Sequence, residues 1–177
     1  MGWNTKADGT GLSYSADQTI TLTENLTLYA QWKAFEMSGI ENGYGYVDLG
    51  LPSGTKWAIM NIGAESPEEY GDYFAWGETQ PKSSYTWSSY KHMTAGKSSW
   101  EYVNKYTYAD GQTSGVWYSG STFIGDNKKT LDSIDDVAQV SWGANWRMPT
   151  KAELDELRSK CTWSWTTQDG VSGYKVV

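Results

Sequence analysis

A single cysteine and a single histidine stand in 177 residues. One thiol excludes an intramolecular disulfide, and the two residues together cannot supply the nitrogen and sulfur ligands of a zinc site. Basic residues are also scarce. Lys and Arg total 14 against 21 Asp and Glu, leaving a formal charge of −7 and a pI near 4.7. That balance opposes a surface built to hold a phosphate backbone, so nucleic acid is not an expected partner. No stretch approaches the ~20 apolar residues of a membrane-spanning helix, and Met1 to Lys6 is followed by no apolar signal-peptide core. No transmembrane segment, metal or cofactor is expected.

Phenylalanine is rare too, at 3, whereas Trp reaches 11, Tyr 13 and Gly 19. Trp and Tyr carry a polar atom on a large apolar body, which suits thin cores and half-buried β surfaces. The glycines fall mostly where a strand would have to turn. The expected fold class is therefore α+β and β-rich, with little helix.

Residues 1–33 form the first expected unit. Thr19-Ile20-Thr21-Leu22-Thr23 and Leu26-Thr27-Leu28-Tyr29-Ala30-Gln31-Trp32 both alternate with period two, and Glu24-Asn25 separates them as a turn. Such a hairpin is marginal alone, so it reads as the end of a small sheet. The segment Gly2-Trp3-Asn4-Thr5, Asp8-Gly9-Thr10-Gly11, Ile20 to Thr23 and Asn25 to Trp32 resembles the C-terminal half of a Listeria-Bacteroides repeat. That resemblance implies a β-hairpin remnant of a β-grasp-like module strung along bacterial surface or secreted proteins. The family's N-terminal strand and helix have no counterpart, so the chain is expected to be a fragment of a longer polypeptide.

Residues 34–45 lose the alternation and gain glycine, and are expected to be a linker in which Gly43-Tyr44-Gly45 is simply flexible. A second domain is expected over 46–177. Tyr46 to Leu51 reads as a strand, Pro52-Ser53-Gly54-Thr55 as a turn and Lys56 to Gly63 as a mostly apolar strand. Ser133 is the expected cap of a short helix through Val140, with Asp136 as its reciprocal partner. Thr150 with Glu153 forms a capping box for a helix to about Lys160, with Leu154, Leu157 and Cys161 on its apolar face. Cys161 to Thr166 and Gly173 to Val177 read as strands around a turn at Gln168-Asp169-Gly170.

Four blocks of this domain are similar to the Fibrobacter succinogenes major paralogous domain. They are Asp48-Leu49-Gly50-Leu51-Pro52-Ser53-Gly54-Thr55-Lys56-Trp57-Ala58, the run from Pro67 to Glu78, the run Trp142-Gly143-Ala144-Asn145-Trp146-Arg147-Met148-Pro149-Thr150, and Glu153-Leu154. The resemblance implies a C-type-lectin-like fold, C-terminally truncated here. Trp146 to Thr150 followed by Glu153 also resembles a segment of formylglycine-generating-enzyme-like domains, but no cysteine stands in a matching active-site segment.

Catalytic signals are thin. His92 reads as a solvated loop histidine and Cys161 as a small buried hydrophobe. Glu65, Glu68, Glu69, Asp72 and Glu78 could in principle furnish a glycosidase pair, yet Glu68-Glu69 after Ser66-Pro67 reads as a helical first turn. A calcium site from Asp126, Asn127, Asp132 and Asp135 fits no calcium-loop spacing. No catalytic residue is assigned. Recognition is the stronger signal: between Lys82 and Phe123, aromatic residues interleave with serines, the pairing that adaptable binding loops use. The candidate ligand-binding residues are Tyr85, Trp87, Tyr90, Trp100, Tyr102, Trp117 and Tyr118. Trp57, Trp76, Trp142 and Trp146 are expected in the core.

The reading is a non-catalytic, extracellular or cell-surface bacterial module for recognition or display, with a glycan or a surface protein as partner. A stalk or spacer without a ligand is the alternative, and a carboxylate-dependent hydrolase is a third.

Overall fold

The computed structural model describes residues 2–15, 18–31, 37–109 and 115–177. The protein is β-rich, with small sheets and few helices. It divides into two compact units, Met1–Glu36 and Met37–Val177. Among the described residues no helix is long and apolar enough to cross a membrane.

In the first unit β1 (Gly2–Asn4) lies between β2 (Ser13–Ser15) and β3 (Tyr29–Gln31), antiparallel to both. The expected hairpin is thus replaced by a three-stranded sheet. Thr19 to Thr23 is not a strand, and Leu22 is solvent-exposed. Alternation alone does not make a strand when no neighbouring backbone pairs with it. Trp32 lies outside the described residues. Asn4 organises the sheet's first turn from a fully buried position. Its amide donates to Gly9 O, Gly11 O and Ser13 Oγ, while its Oδ1 accepts from the backbone N–H of Lys6 and Gly11.

The second unit begins within the segment read as a linker. β4 (Gly39–Glu41) pairs with β5 (Tyr44–Val47), and β5 with β6 (Trp57–Ala58), all antiparallel. Asn42 (φ 50°) and Gly43 (φ 85°) form the turn, both left-handed as a two-residue hairpin demands. Asn42 also donates to Trp142 O at 3.0 Å, and the Trp146 indole to Glu41 O at 3.1 Å. Residues 37–45 are therefore part of the domain. Residues 34–36 lie outside the described residues.

After β6 the described residues are irregular up to β7 (Tyr118–Ser119) and β8 (Thr122–Phe123), apart from 3₁₀ turns at Trp87–Ser89 and Trp100–Tyr102. The expected strand Lys56 to Gly63 shrinks to two residues. Helix α1 (Val137–Trp142) follows, capped by Asp136 rather than Ser133: the Asp136 carboxylate accepts from Ala138 and Gln139 N–H, and also from Met148 N–H at 2.9 Å. Buried beside Met148, Asp136 satisfies three amides where a serine hydroxyl reaches fewer. Helix α2 (Lys151–Lys160) has the Thr150–Glu153 capping box as expected. Leu157 is its buried residue, Cys161 is half-buried and Leu154 is exposed. β9 (Trp163–Gln168) and β10 (Val171–Val176) close as a two-stranded ribbon over Asp169-Gly170.

The core gathers Ala138, Trp142 and Trp146 under Tyr44, Tyr46, Ala58, Met60, Ile62 and Met148. Tyr44 stacks on Trp142 at 4.6 Å, and Trp146 meets Trp142 edge-on at 5.1 Å. Trp142 and Trp146 are core as expected, Trp57 is half-buried, and Trp76 is exposed although Gly77 and Glu78 beside it are buried.

Candidate binding surface

Among its described residues the segment from Lys82 to Phe123 contains little regular structure, so something other than a sheet must hold it. Buried carboxylates do this. Asp135, 1% exposed, accepts from Lys105 Nζ and Tyr106 OH at 2.6 Å each and from Lys91 Nζ at 2.5 Å. Burial by itself would raise the Asp135 pKa, but these donors outweigh it and hold the carboxyl well below the usual range. Lys105 also bonds Asp132 at 2.8 Å, and the two carboxylates push its pKa upward. Glu78 is the second anchor, taking Lys82 Nζ and the Lys91 N–H, each at 2.8 Å.

His92 belongs to this base and is not a solvated loop residue. It is 7% exposed, its Nε2 sits 3.1 Å from Gly77 O, and its ring is edge-on to Tyr90 and Tyr106. Gly77 (φ 78°) makes this possible, since a Cβ there would meet the imidazole at 2.8 Å. Asp126, on the far side, accepts from Tyr106 and Thr107 N–H. The three acids of the set weighed as a calcium site, Asp126, Asp132 and Asp135, are thus divided between lysines and backbone amides, and among the described residues no cluster of three or more Asp, Glu, His or Cys is placed to hold a metal ion.

On this base the seven candidate residues separate into two kinds. Trp117 is 9% exposed and packs on Trp100 at 5.8 Å between centroids, so it is core for this segment. Tyr118 is half-buried against Phe123, Tyr102 is half-buried under Lys97, and Tyr90 donates to Trp76 O at 2.8 Å. Burial, with the Glu78 carboxylate nearby, pushes the Tyr90 pKa up to about 12. These four rings are structural. Tyr85, Trp87 and Trp100 stay exposed, at 45%, 49% and 42%. The sequence marks all seven alike, because composition does not say which rings face inward.

Composition does not single out the exposed residues that precede this segment. Tyr70, Tyr73 and Trp76 are exposed, Tyr73 at 71%. Four aromatics within Tyr70-Gly71-Asp72-Tyr73-Phe74-Ala75-Trp76 are the available signal, eclipsed by the family-like motif they form. Tyr73 and Phe74 also line a cleft of about 640 Å³ with Asp72, Pro81, Lys82 and Tyr85. A second, wider cleft of about 940 Å³ opens over the core at Trp57, Met60, Trp142 and Met148 and shares Asp72, Tyr73 and Phe74. The Trp57 indole N–H beside it is buried with no partner among the described residues.

The remaining acids are engaged locally. Ser66-Pro67-Glu68-Glu69 is a turn rather than a helical start: Glu69 caps the Glu65 N–H at 2.7 Å and Glu68 accepts from Ser66 Oγ at 2.6 Å. Glu153 pairs with Arg147, which holds its carboxyl far below the usual range while it completes the α2 cap. Compared with known proteins, the chain matches no family model, no curated protein and no solved structure.

Proposed function

We propose that the chain is a non-catalytic recognition module of a bacterial cell-surface or secreted protein, binding a glycan or a protein through exposed aromatic side chains. In this reading the second unit is a C-type-lectin-like domain of the Fibrobacter succinogenes major paralogous type. The first is the closing part of a Listeria-Bacteroides repeat. The family assignments rest on the sequence blocks that carry the resemblance.

One observation supports the binding role above the others: Tyr85, Trp87 and Trp100 present large exposed rings on a segment pinned by the buried Asp135 and Glu78. Exposed aromatics on a loose loop pay ordering entropy on binding, whereas a pinned loop has already paid it. The buried acids support the non-catalytic part, since each is occupied by lysines or by capped amides.

A glycan array probed with the 177-residue chain, alongside Trp87→Ala and Trp100→Ala, tests the proposal. Binding lost in both variants, with the melting temperature unchanged in Trp87→Ala, supports it. Binding retained in both moves recognition away from the Lys82–Phe123 segment, and no binding to glycan or to extracted surface protein favours the spacer alternative.

A further inference from the structure

We infer that the cleft between Gly71–Ala75 and Pro81–Tyr85 is a subsite for one neutral pyranose ring, with Tyr73 as stacking platform and Asp72 as hydroxyl acceptor. This deepens the recognition reading and rests on it.

The cleft is built rather than incidental. Asp72 N–H donates to Ile62 O at 2.8 Å, and Gly71 (φ 66°) lies so close to that carbonyl that a Cβ would stand 2.4 Å from it. The facing wall is tied on by Tyr85, whose phenol donates to Tyr73 O and accepts the Lys82 N–H at 2.9 Å. At about 640 Å³ the space suits a small ligand, and its walls are fixed before one arrives.

Its chemistry narrows the class. Tyr73, Phe74 and Tyr85 offer aromatic surface. The Asp72 carboxylate, seated against Gly63, accepts no hydrogen bond from the described residues. A purely apolar ligand would bury that charge without compensation. An anionic ligand would face both Asp72 and the net charge of −7. The one ammonium in the cleft, on Lys82, is committed to Glu78 at 2.8 Å and to Ser89 O at 2.7 Å, so it does not offset that repulsion. A neutral pyranose satisfies every wall. Its C–H face stacks on an aromatic ring, and its vicinal hydroxyls donate to a carboxylate in charge-assisted hydrogen bonds.

The test is calorimetric titration of the intact chain with linear neutral oligosaccharides of glucose, xylose, mannose and galactose, and with oligogalacturonate as the acidic counterpart. The expected result is binding of at least one neutral series and none of oligogalacturonate. Tyr73→Ala and Asp72→Asn should each weaken that binding about tenfold or more. Both side chains are exposed, so melting temperatures should not move. Preference for oligogalacturonate, absence of binding to every neutral series, or full binding by both variants overturns the subsite. If Trp87→Ala and Trp100→Ala abolish binding while Tyr73→Ala and Asp72→Asn do not, the subsite is wrong and the recognition reading stands. If all four variants bind like the parent, both fail.

Discussion

The Tyr106 phenol donates to Asp135 Oδ2 at 2.6 Å, joining residues 29 positions apart. Tyr106 does so from φ 60°, a left-handed conformation that costs a bulky residue energy. Two contacts offset the strain: Asp126 accepts the Tyr106 N–H at 2.9 Å, and the phenol oxygen accepts the Asp132 N–H at 3.1 Å. Asp135 thus gathers Lys91, Lys105 and Tyr106 onto one buried carboxylate, and the aromatic surface stands on that knot.

Asp135→Ala should destabilise the second unit by roughly 1–3 kcal/mol, because it leaves the buried Tyr106 phenol without its acceptor while the Lys91 and Lys105 ammoniums keep access to water. Chemical unfolding near neutral pH checks this. A loss well under 1 kcal/mol would show that the carboxylate is not the anchor.

The same residue predicts acid sensitivity. Its folded pKa lies below the unfolded value of about 3.9, so its contribution is complete above that value and is lost as pH falls through the folded pKa. Glu153, held low by Arg147, acts with the same sign. Unfolding free energies measured downward from about pH 5 should fall for the parent chain, and the gap to Asp135→Asn should narrow. A constant gap would contradict the assignment.

Trp117→Ala and Trp87→Ala should diverge. The buried Trp117 should cost about 3–5 kcal/mol, whereas the exposed Trp87 should stay within about 0.5 kcal/mol. Equal losses in thermal or chemical unfolding would mean that the Lys82–Phe123 segment does not have distinct inner and outer rings.

Asn42→Ala removes both a residue suited to the left-handed turn and the hydrogen bond to Trp142 O. The expected loss is about 1–2 kcal/mol. An unchanged unfolding midpoint would detach β4 from the domain.

Thr150→Ala should cost about 1 kcal/mol, the usual value of an N-cap. Its hydroxyl accepts from Glu153 N–H at 3.3 Å, and the Glu153 carboxylate returns to Thr150 N–H at 2.8 Å. Helix content by circular dichroism, followed through denaturation, reads the effect.

Local chemistry determined part of this protein by itself. The Thr150–Glu153 box, the Asp169-Gly170 turn and the scarcity of helix depend on residues within a few positions of one another, so the sequence contains them completely. Asn42-Gly43 was equally local, yet the surrounding glycines concealed a hairpin whose value lies in its contacts with Trp142 and Trp146, about a hundred residues away. Burial was decided only by tertiary structure. Nothing near His92 in the chain shows that Gly77 admits its ring, and nothing in the run of Tyr, Trp and Ser separates Trp117 from Trp87. Which aromatic faces water depends on where a distant carboxylate collects its lysines, and that is a property of the folded chain alone.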